Sequence, residues 1–520
     1  MTVDAPVPVV LLGHQPLNIE DILDLAHGRA HAALDHHPET LARIDAAANL
    51  LAQMVSENRA VYGVTTGVGD SVTTQVGEDQ VGDLPLNLLR FHGCGTGPVL
   101  GEVEAAAVVA TRLASLSRGH SGVRRSVLDR LCLLLNHRIL PVIPSIGSVG
   151  ASGDLTPLSY VAALLVGERE AWVAGQQVPA EDALRDKGLP PLRLVAKESL
   201  SLMNGTSAMT ALACLAFTRA QRLTRWMATL TAVQSDVLQG NPAHFDARLF
   251  ALKPHPGQAQ VARWIAADLE YPRLRPASPV RLQDRYSIRC APHIIGVLSD
   301  ALAWMRPWLE TELNSVNDNP ILDPETGDVL HGGNFYGGHV GFAMDSLKAA
   351  VASMVDLLDR QMVQLCDPKM NHGLPANLVG VTGPAQSAHH GFKAMAIATS
   401  ALAAEAGRMS MPVAVFSRST ECHNQDKVPM ATISARDALA VLDLAETAAA
   451  MVTLAAVQAV DLRKQHGCHQ RSRQLHASLR TAVPMVQADR RMDRDIARVL
   501  ELVNTGALDI GSPGSSAEVV

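Results

Sequence analysis

ARDALAVLDLAETAAAMVTLAAVQAVDLR (435–463) is the stretch that sets the architecture. After its first turns it is apolar nearly all round, the pattern of a helix buried on every side at the centre of a bundle. Its apolar run TAAAMVTLAAVQAV (447–460) spans 14 residues between Glu446 and Asp461. That is short of the roughly 18 a membrane span needs, so a core helix is expected. Upstream, DSLKAAVASMVDLLDRQMVQL (345–365) repeats Leu347, Val351, Met354, Leu358 and Met362 at steps of three and four, one apolar face of a long helix. Similar Ala/Leu-rich runs occupy 104–138 and 207–238, while the clearest strand pattern is the short VPVVLL (7–12). Asn18, followed by Glu20 and Asp21, opens a first helix near residue 19. The expectation is a mainly α fold around a long central helical bundle.

The bulk numbers agree. Of 520 residues, 47% are hydrophobic and 18% charged, with a net charge of −7, a balance that does not point to a nucleic-acid binder, which normally shows a basic stripe. Seven cysteines without a CxxC pair indicate neither a zinc ribbon nor a thioredoxin-type centre. The stretch VPVVLLG follows Asp4 with no Lys or Arg, unlike a secretory signal, so a cytoplasmic protein away from membranes is expected. HGCH (466–469) lets few side chains converge on one ion, and no metal is expected there. PRLRPASPVR (272–281) reads as an exposed loop, and GSPGSSAEVV (511–520) as a tail with too little apolar surface to order itself.

Polar loops interrupt the helices, and GSVGASGDLTPLS (147–159) is the most unusual. Its glycines are spaced GxxGxxG with no GK[ST] following, so it is not a phosphate cradle. A plain turn is one reading. The other is backbone chemistry: the amide nitrogen of Gly153 attacks the carbonyl carbon of Ala151 and closes a five-membered ring. A residue without Cβ brings its nitrogen that close most readily. Loss of water from the ring and from Ser152 then leaves an exocyclic methylidene, an electrophile needing no external cofactor.

GSVGASGDLTPLS resembles the prosthetic-group loop of the aromatic amino acid ammonia-lyase family, the histidine, phenylalanine and tyrosine ammonia-lyases and related aminomutases. Members build 4-methylideneimidazol-5-one from Ala-Ser-Gly, here Ala151, Ser152 and Gly153. VYGVTTGVGD (61–70) is similar to the family's YGxNTGFG lid, which implies Tyr62 as the base; Thr65 and Val68 depart from the usual Asn and Phe. A phenol has a pKa of about 10, so positive charge or hydrogen bonds to the anion are expected to lower it. KESLSLMNGTSAM (197–209) is similar to KEGLALLNGT, which implies Asn204 beside the prosthetic ring and the substrate amine, with Leu200 in the binding site. Asn204 capping the following helix is the plain alternative.

LQDRYSIRCAPH (282–293) is similar to QDxYSxRCxPQ. The match implies Arg289 as a two-pronged clamp on the substrate carboxylate, Tyr286 near the ring and Gln283 in the pocket. Arg285 and His293 are departures whose roles the resemblance does not assign. SVNDNPILDPETGDVLHGGNF (315–335) matches S-x-x-DNP through GGNF, which implies Asn334 and Phe335 at the substrate. STECHNQDKVPM (419–430) is similar to EQxNQDxxSxG: Glu421 falls at a position that handles the amino group, and Gln425 where histidine ammonia-lyases carry Glu. A helical spacing of four would put both on one face. NLLRFHGCGTG (87–97) carries the ring-reading pair, Phe91 and His92. Phenylalanine enzymes usually show Phe-Leu, tyrosine enzymes His-Leu or Ser-His and histidine enzymes Ser-His, so Phe-His is a mixture.

The resemblance implies the ammonia-lyase/fumarase-like superfamily fold: a smaller N-terminal domain with lid and prosthetic loops (1–205), a central helical bundle (206–480), and a C-terminal helix and tail (481–520). It further implies a homotetramer with active sites shared between subunits, and an aromatic amino acid as the small-molecule substrate. The expected reaction is elimination of ammonia from phenylalanine or tyrosine to a trans-arylacrylate. The alternatives are a 2,3-aminomutase, a histidine ammonia-lyase, and a catalytically inactive scaffold.

Overall fold

The computed structural model describes residues 7–77, 80–272, 281–464 and 468–511. Most of the loop read at 272–281, part of the HGCH stretch and the tail from 512 lie outside the described residues. The chain forms two compact units. The first comprises Met1–Ala216, Met305–Asp345 and Pro412–Arg436; the second comprises Phe217–Trp304, Ser346–Met411 and Asp437–Val520. This grouping differs from contiguous blocks at 1–205 and 206–480. Most boundaries fall inside long helices, such as Ser207–Val237 and Ala431–Leu462, where no Gly/Pro linker marks them.

The first unit holds every described strand. Val9–Leu12 pairs in parallel with His31–Leu34, and Thr96–Val99 pairs antiparallel with Pro144–Ile146. The helix Ile19–Ala26 starts as its sequence dictates: the Asn18 side chain accepts from Asp21 N–H (2.9 Å), and the Asp21 carboxylate accepts from Asn18 N–H (2.9 Å). The run at 104–138 is two helices, Glu102–Leu116 and Arg125–Asn136, because Gly119 and Gly122 between them take φ of +80° and +70°.

The described residues of the second unit form helices joined by loops, with no strand among them. Leu347, Val351, Met354, Leu358 and Met362 have no exposed surface, so the periodic face of 345–365 is a core face, within the helix Gly338–Cys366. Ala431–Leu462 is long and apolar enough to cross a membrane by composition, yet Val452, Ala455, Val457 and Val460 are fully buried in protein. Two of its polar groups are paired with other helices: Trp226 Nε1 donates to Thr453 Oγ1 at 3.0 Å, and Glu446 accepts from Arg219 and Arg222.

Candidate active site

The loop before the helix Leu155–Leu165 folds back tightly on itself. Ser152 takes φ +53° and Gly153 +76°, and Gly153 N–H donates to the Gly150 carbonyl at 3.1 Å to close the turn. A left-handed residue other than glycine costs about 1–2 kcal/mol, so the surroundings must hold Ser152 there. They do so from several sides. The Ser152 carbonyl accepts from Asn204 Nδ2 (2.7 Å) and Gly205 N–H (3.3 Å), and its hydroxyl accepts from Gln425 Nε2 (3.1 Å). Gly153 lies so close to Gly205 that a Cβ would overlap the Gly205 carbonyl. The tripeptide therefore fits ring closure: a tight turn, an unhindered nitrogen and two N–H donors on the adjoining carbonyl. Asp154, next in sequence, is fully buried and pushed up to about 6 by that burial, against hydrogen bonds from Thr432 Oγ1, Met209 N–H and Ser148 Oγ.

Asn204 is held from behind. Its Oδ1 accepts Asn319 N–H at 2.6 Å, which turns Nδ2 toward Ser152, so it does not cap the next helix. The neighbouring Asp318 forms a fully buried ion pair with Lys197 (2.8 Å). Lys197 Nζ also donates to the Ser121 carbonyl and Ser201 Oγ, and Asp318 accepts from Ser121 Oγ. One residue earlier, Asn317 accepts from the buried Arg112 at 2.9 Å and donates to Thr206 Oγ1. Three consecutive residues thus grip three sides of the cradle. Asp318-Asn319-Pro320 is recognisable in the sequence as a family motif; nothing local reveals that Asn319 N–H orients an amide 115 positions away.

A cavity of about 880 Å³ opens over Ala151 and Ser152 and is also lined by Tyr62, Leu200, Asn204 and Phe335. Phe91, His92, Glu421 and Gln425 complete the expected residues found there. The Tyr62 hydroxyl accepts Gly69 N–H at 2.7 Å. The Glu421 carboxylate accepts Asp70 N–H at 2.9 and 3.0 Å, and lies so close to Gly69 that a Cβ there would overlap it. Burial pushes the Tyr62 phenol up, the Gly69 hydrogen bond opposes this, and the Glu421 charge adds to the rise. This corrects the expectation of a lowered phenol: within this unit its charged neighbour is an anion. Glu421 and Gln425 do not share a helix face either. Glu421, Cys422 and His423 take φ of +52°, +51° and +67°, and Thr420 and Gln425 exchange backbone hydrogen bonds that close a loop.

His92 is half-buried, its ring centroid 4.0 Å from that of Phe91, with Nδ1 3.2 Å from the Leu88 carbonyl. Other expected residues lie elsewhere. Asn334 does not line the cavity; its amide donates to the Val316 carbonyl at 3.1 Å. Gln283, Tyr286 and Arg289 belong to the second unit and do not line it. There Arg289 Nε donates to the Asp284 carbonyl at 2.9 Å, its guanidinium lies 4.7 Å from the Tyr286 ring, and Tyr286 is 70% exposed.

A family model described as aromatic amino acid lyase matches residues 17–481. The chain is 38% identical to a histidine ammonia-lyase of Sorangium cellulosum over 96% of its own length and 98% of the relative's. Among solved structures it is similar to a tyrosine aminomutase from Streptomyces globisporus (34% identity, TM-score 0.89, covering 96% of this chain and 97% of that one). It is also similar to a histidine ammonia-lyase from Trypanosoma cruzi (30% identity, TM-score 0.89, covering 98% and 96%). With the Ala151–Gly153 turn seated in its cradle, these matches settle the relationship: the chain belongs to the aromatic amino acid lyase family.

Proposed function

We propose that this ammonia-lyase removes ammonia from L-tyrosine to give the trans-hydroxyphenylacrylate, with phenylalanine the weaker substrate. The observation that carries the choice of ring is His92. Burial lowers the affinity of its imidazole for a second proton, the Leu88 hydrogen bond opposes this, and the Arg169 charge adds to the lowering. The ring is therefore neutral near pH 7; with Nδ1 donating to the Leu88 carbonyl, Nε2 remains an acceptor. A phenol O–H satisfies that acceptor. A phenyl ring leaves it desolvated and unpaired, at a cost of about 1–3 kcal/mol. Phe91 supplies apolar surface beside it.

Histidine is the second reading. The names of the sequence relatives favour it over tyrosine and phenylalanine, and its ring N–H would satisfy the same acceptor. Gln425, where the resemblance puts Glu in histidine enzymes, supports tyrosine instead. The likeness to a tyrosine aminomutase supports a third outcome, return of the amine to Cβ.

The family's 4-methylideneimidazol-5-one is formed from the chain's own Ala151, Ser152 and Gly153, and supplies an electrophile for the substrate amine without an external cofactor. Asn204 Nδ2 and Gly205 N–H draw electron density onto the Ser152 carbonyl oxygen. Tyr62, as its phenolate, takes the Cβ proton and becomes the neutral phenol, and Gly69 N–H stabilises the phenolate oxygen before that transfer. Arg289 holds the substrate carboxylate bidentately and fixes the reacting geometry. Because Arg289 and the exposed Tyr286 do not line the cavity, we assign them to the site of another subunit in a homotetramer. Val297, Val363 and Ile397, large apolar side chains 59%, 39% and 67% exposed on helices of the second unit, support such an assembly.

The test is a panel of L-tyrosine, L-phenylalanine, L-histidine and L-tryptophan with products separated by chromatography. The expected result is ammonia and hydroxyphenylacrylate from tyrosine. Imidazolylacrylate from histidine alone would replace the reading with the second, and β-tyrosine with the third.

A further inference from the structure

Arg169 occupies a backbone position that disfavours it. It takes φ +66°, a left-handed conformation that costs a non-glycine residue about 1–2 kcal/mol. Its side chain is well engaged. Nη1 donates to Ser159 Oγ at 2.9 Å, Nη2 donates to the Leu89 carbonyl at 2.5 Å, and the guanidinium lies 4.2 Å from the Tyr160 ring centroid. It passes so near Gly93 that a Cβ there would lie 2.5 Å from Nη2. The glycine after His92 therefore makes way for this one guanidinium.

The Leu89 carbonyl belongs to the last turn of the helix Leu84–Phe91, where carbonyls lack partners within the helix. Three of them have partners from outside the helix here. The Leu88 carbonyl meets His92 Nδ1 (3.2 Å), the Leu89 carbonyl meets Arg169, and the Arg90 carbonyl accepts Gly93 N–H (3.0 Å). A cation at a helix C-terminus is also favoured by the helix dipole. The Ser159 hydroxyl, bonded to the Thr156 carbonyl at 2.7 Å, lies 3.3 Å from the His92 carbonyl, so the same fork touches the backbone at Leu89 directly and at His92 through Ser159. Arg169 is not among the residues lining the cavity.

We propose that Arg169 is a specificity-positioning residue: by clamping the end of the Leu84–Phe91 helix to Ser159 it sets the His92 ring so that Nε2 meets the hydroxyl of the substrate ring. This rests on the reading of His92 given above. Arg169→Gly removes the guanidinium fork without adding backbone strain, because glycine adopts φ +66° freely.

The experiment compares kcat/KM for tyrosine and for phenylalanine in the parent, Arg169→Gly and His92→Leu, with intact mass confirming loss of two waters in each. The expected result is that the tyrosine-to-phenylalanine ratio falls about tenfold in His92→Leu, and severalfold in the same direction in Arg169→Gly. A parental ratio in folded, dehydrated Arg169→Gly beside a fallen ratio in His92→Leu overturns this proposal and leaves the functional reading standing. A parental ratio in His92→Leu overturns the functional reading, and with it the route through His92. Should Arg169→Gly fail to fold, Arg169→Asn decides by the same ratio, since asparagine also tolerates the left-handed region.

Discussion

Ser152 has two roles that one substitution separates. Its backbone is a left-handed corner of the turn, and its hydroxyl is what dehydration removes. Ser152→Ala keeps the corner and loses the leaving group; intact mass should show no second dehydration, and turnover should fall at least about 10³-fold. Gly153→Ala fails for a different reason, because its Cβ would overlap the Gly205 carbonyl and its φ is +76°. Glu421 makes a pH prediction. Its carboxylate helps hold the Tyr62 phenol above its ordinary value, so Glu421→Gln should lower that pKa. The rising alkaline limb of kcat/KM for the base should then move to lower pH, and a limb left in place would show that Tyr62 does not feel this carboxylate. Ala151–Gly153, Tyr62 and Asn204 were legible in the sequence because each sits in a local run. The anion beside Tyr62 was not, because Asp70 and Glu421 are 351 positions apart.

The segment Asn317–Asn319 shows why an element can matter more than its sequence suggests. Its gripping contacts reach Arg112, Lys197 and Asn204, all distant in the chain. Asp318→Asn leaves the Lys197 ammonium buried opposite a neutral amide. The expected loss is about 3–5 kcal/mol of stability, read by denaturant unfolding. Replacing both by apolar residues of similar volume should cost less, since no charge is then left alone. The helices at 345–365 and 435–463 were legible because a 3.6-residue period or all-round apolarity survives in one dimension. Glu421–Gln425 was legible as part of a polar loop, but its shape was not: the left-handed run Glu421–His423 and the closing Thr420–Gln425 pair are visible only in the structure.

At the scale of the molecule, the cavity has one half of its expected chemistry. Tyr62, Ser152, Asn204 and Glu421 line it, whereas Arg289 and Tyr286 stand in the second unit. If subunits share sites, co-expressing Tyr62→Phe with Arg289→Met should recover a measurable part of the activity that neither variant has alone. Sites built within one chain would leave the mixture as inactive as its parts. The two units themselves were not legible in the sequence, because the chain passes between them inside helices. The central claim is that Ala151–Gly153 becomes the electrophile, and the intact mass of the purified chain tests it most directly. The account predicts a chain two waters lighter than its sequence, with Ser152→Ala not showing that loss. A parent chain at its full sequence mass would contradict it, and the turn would then be only a turn.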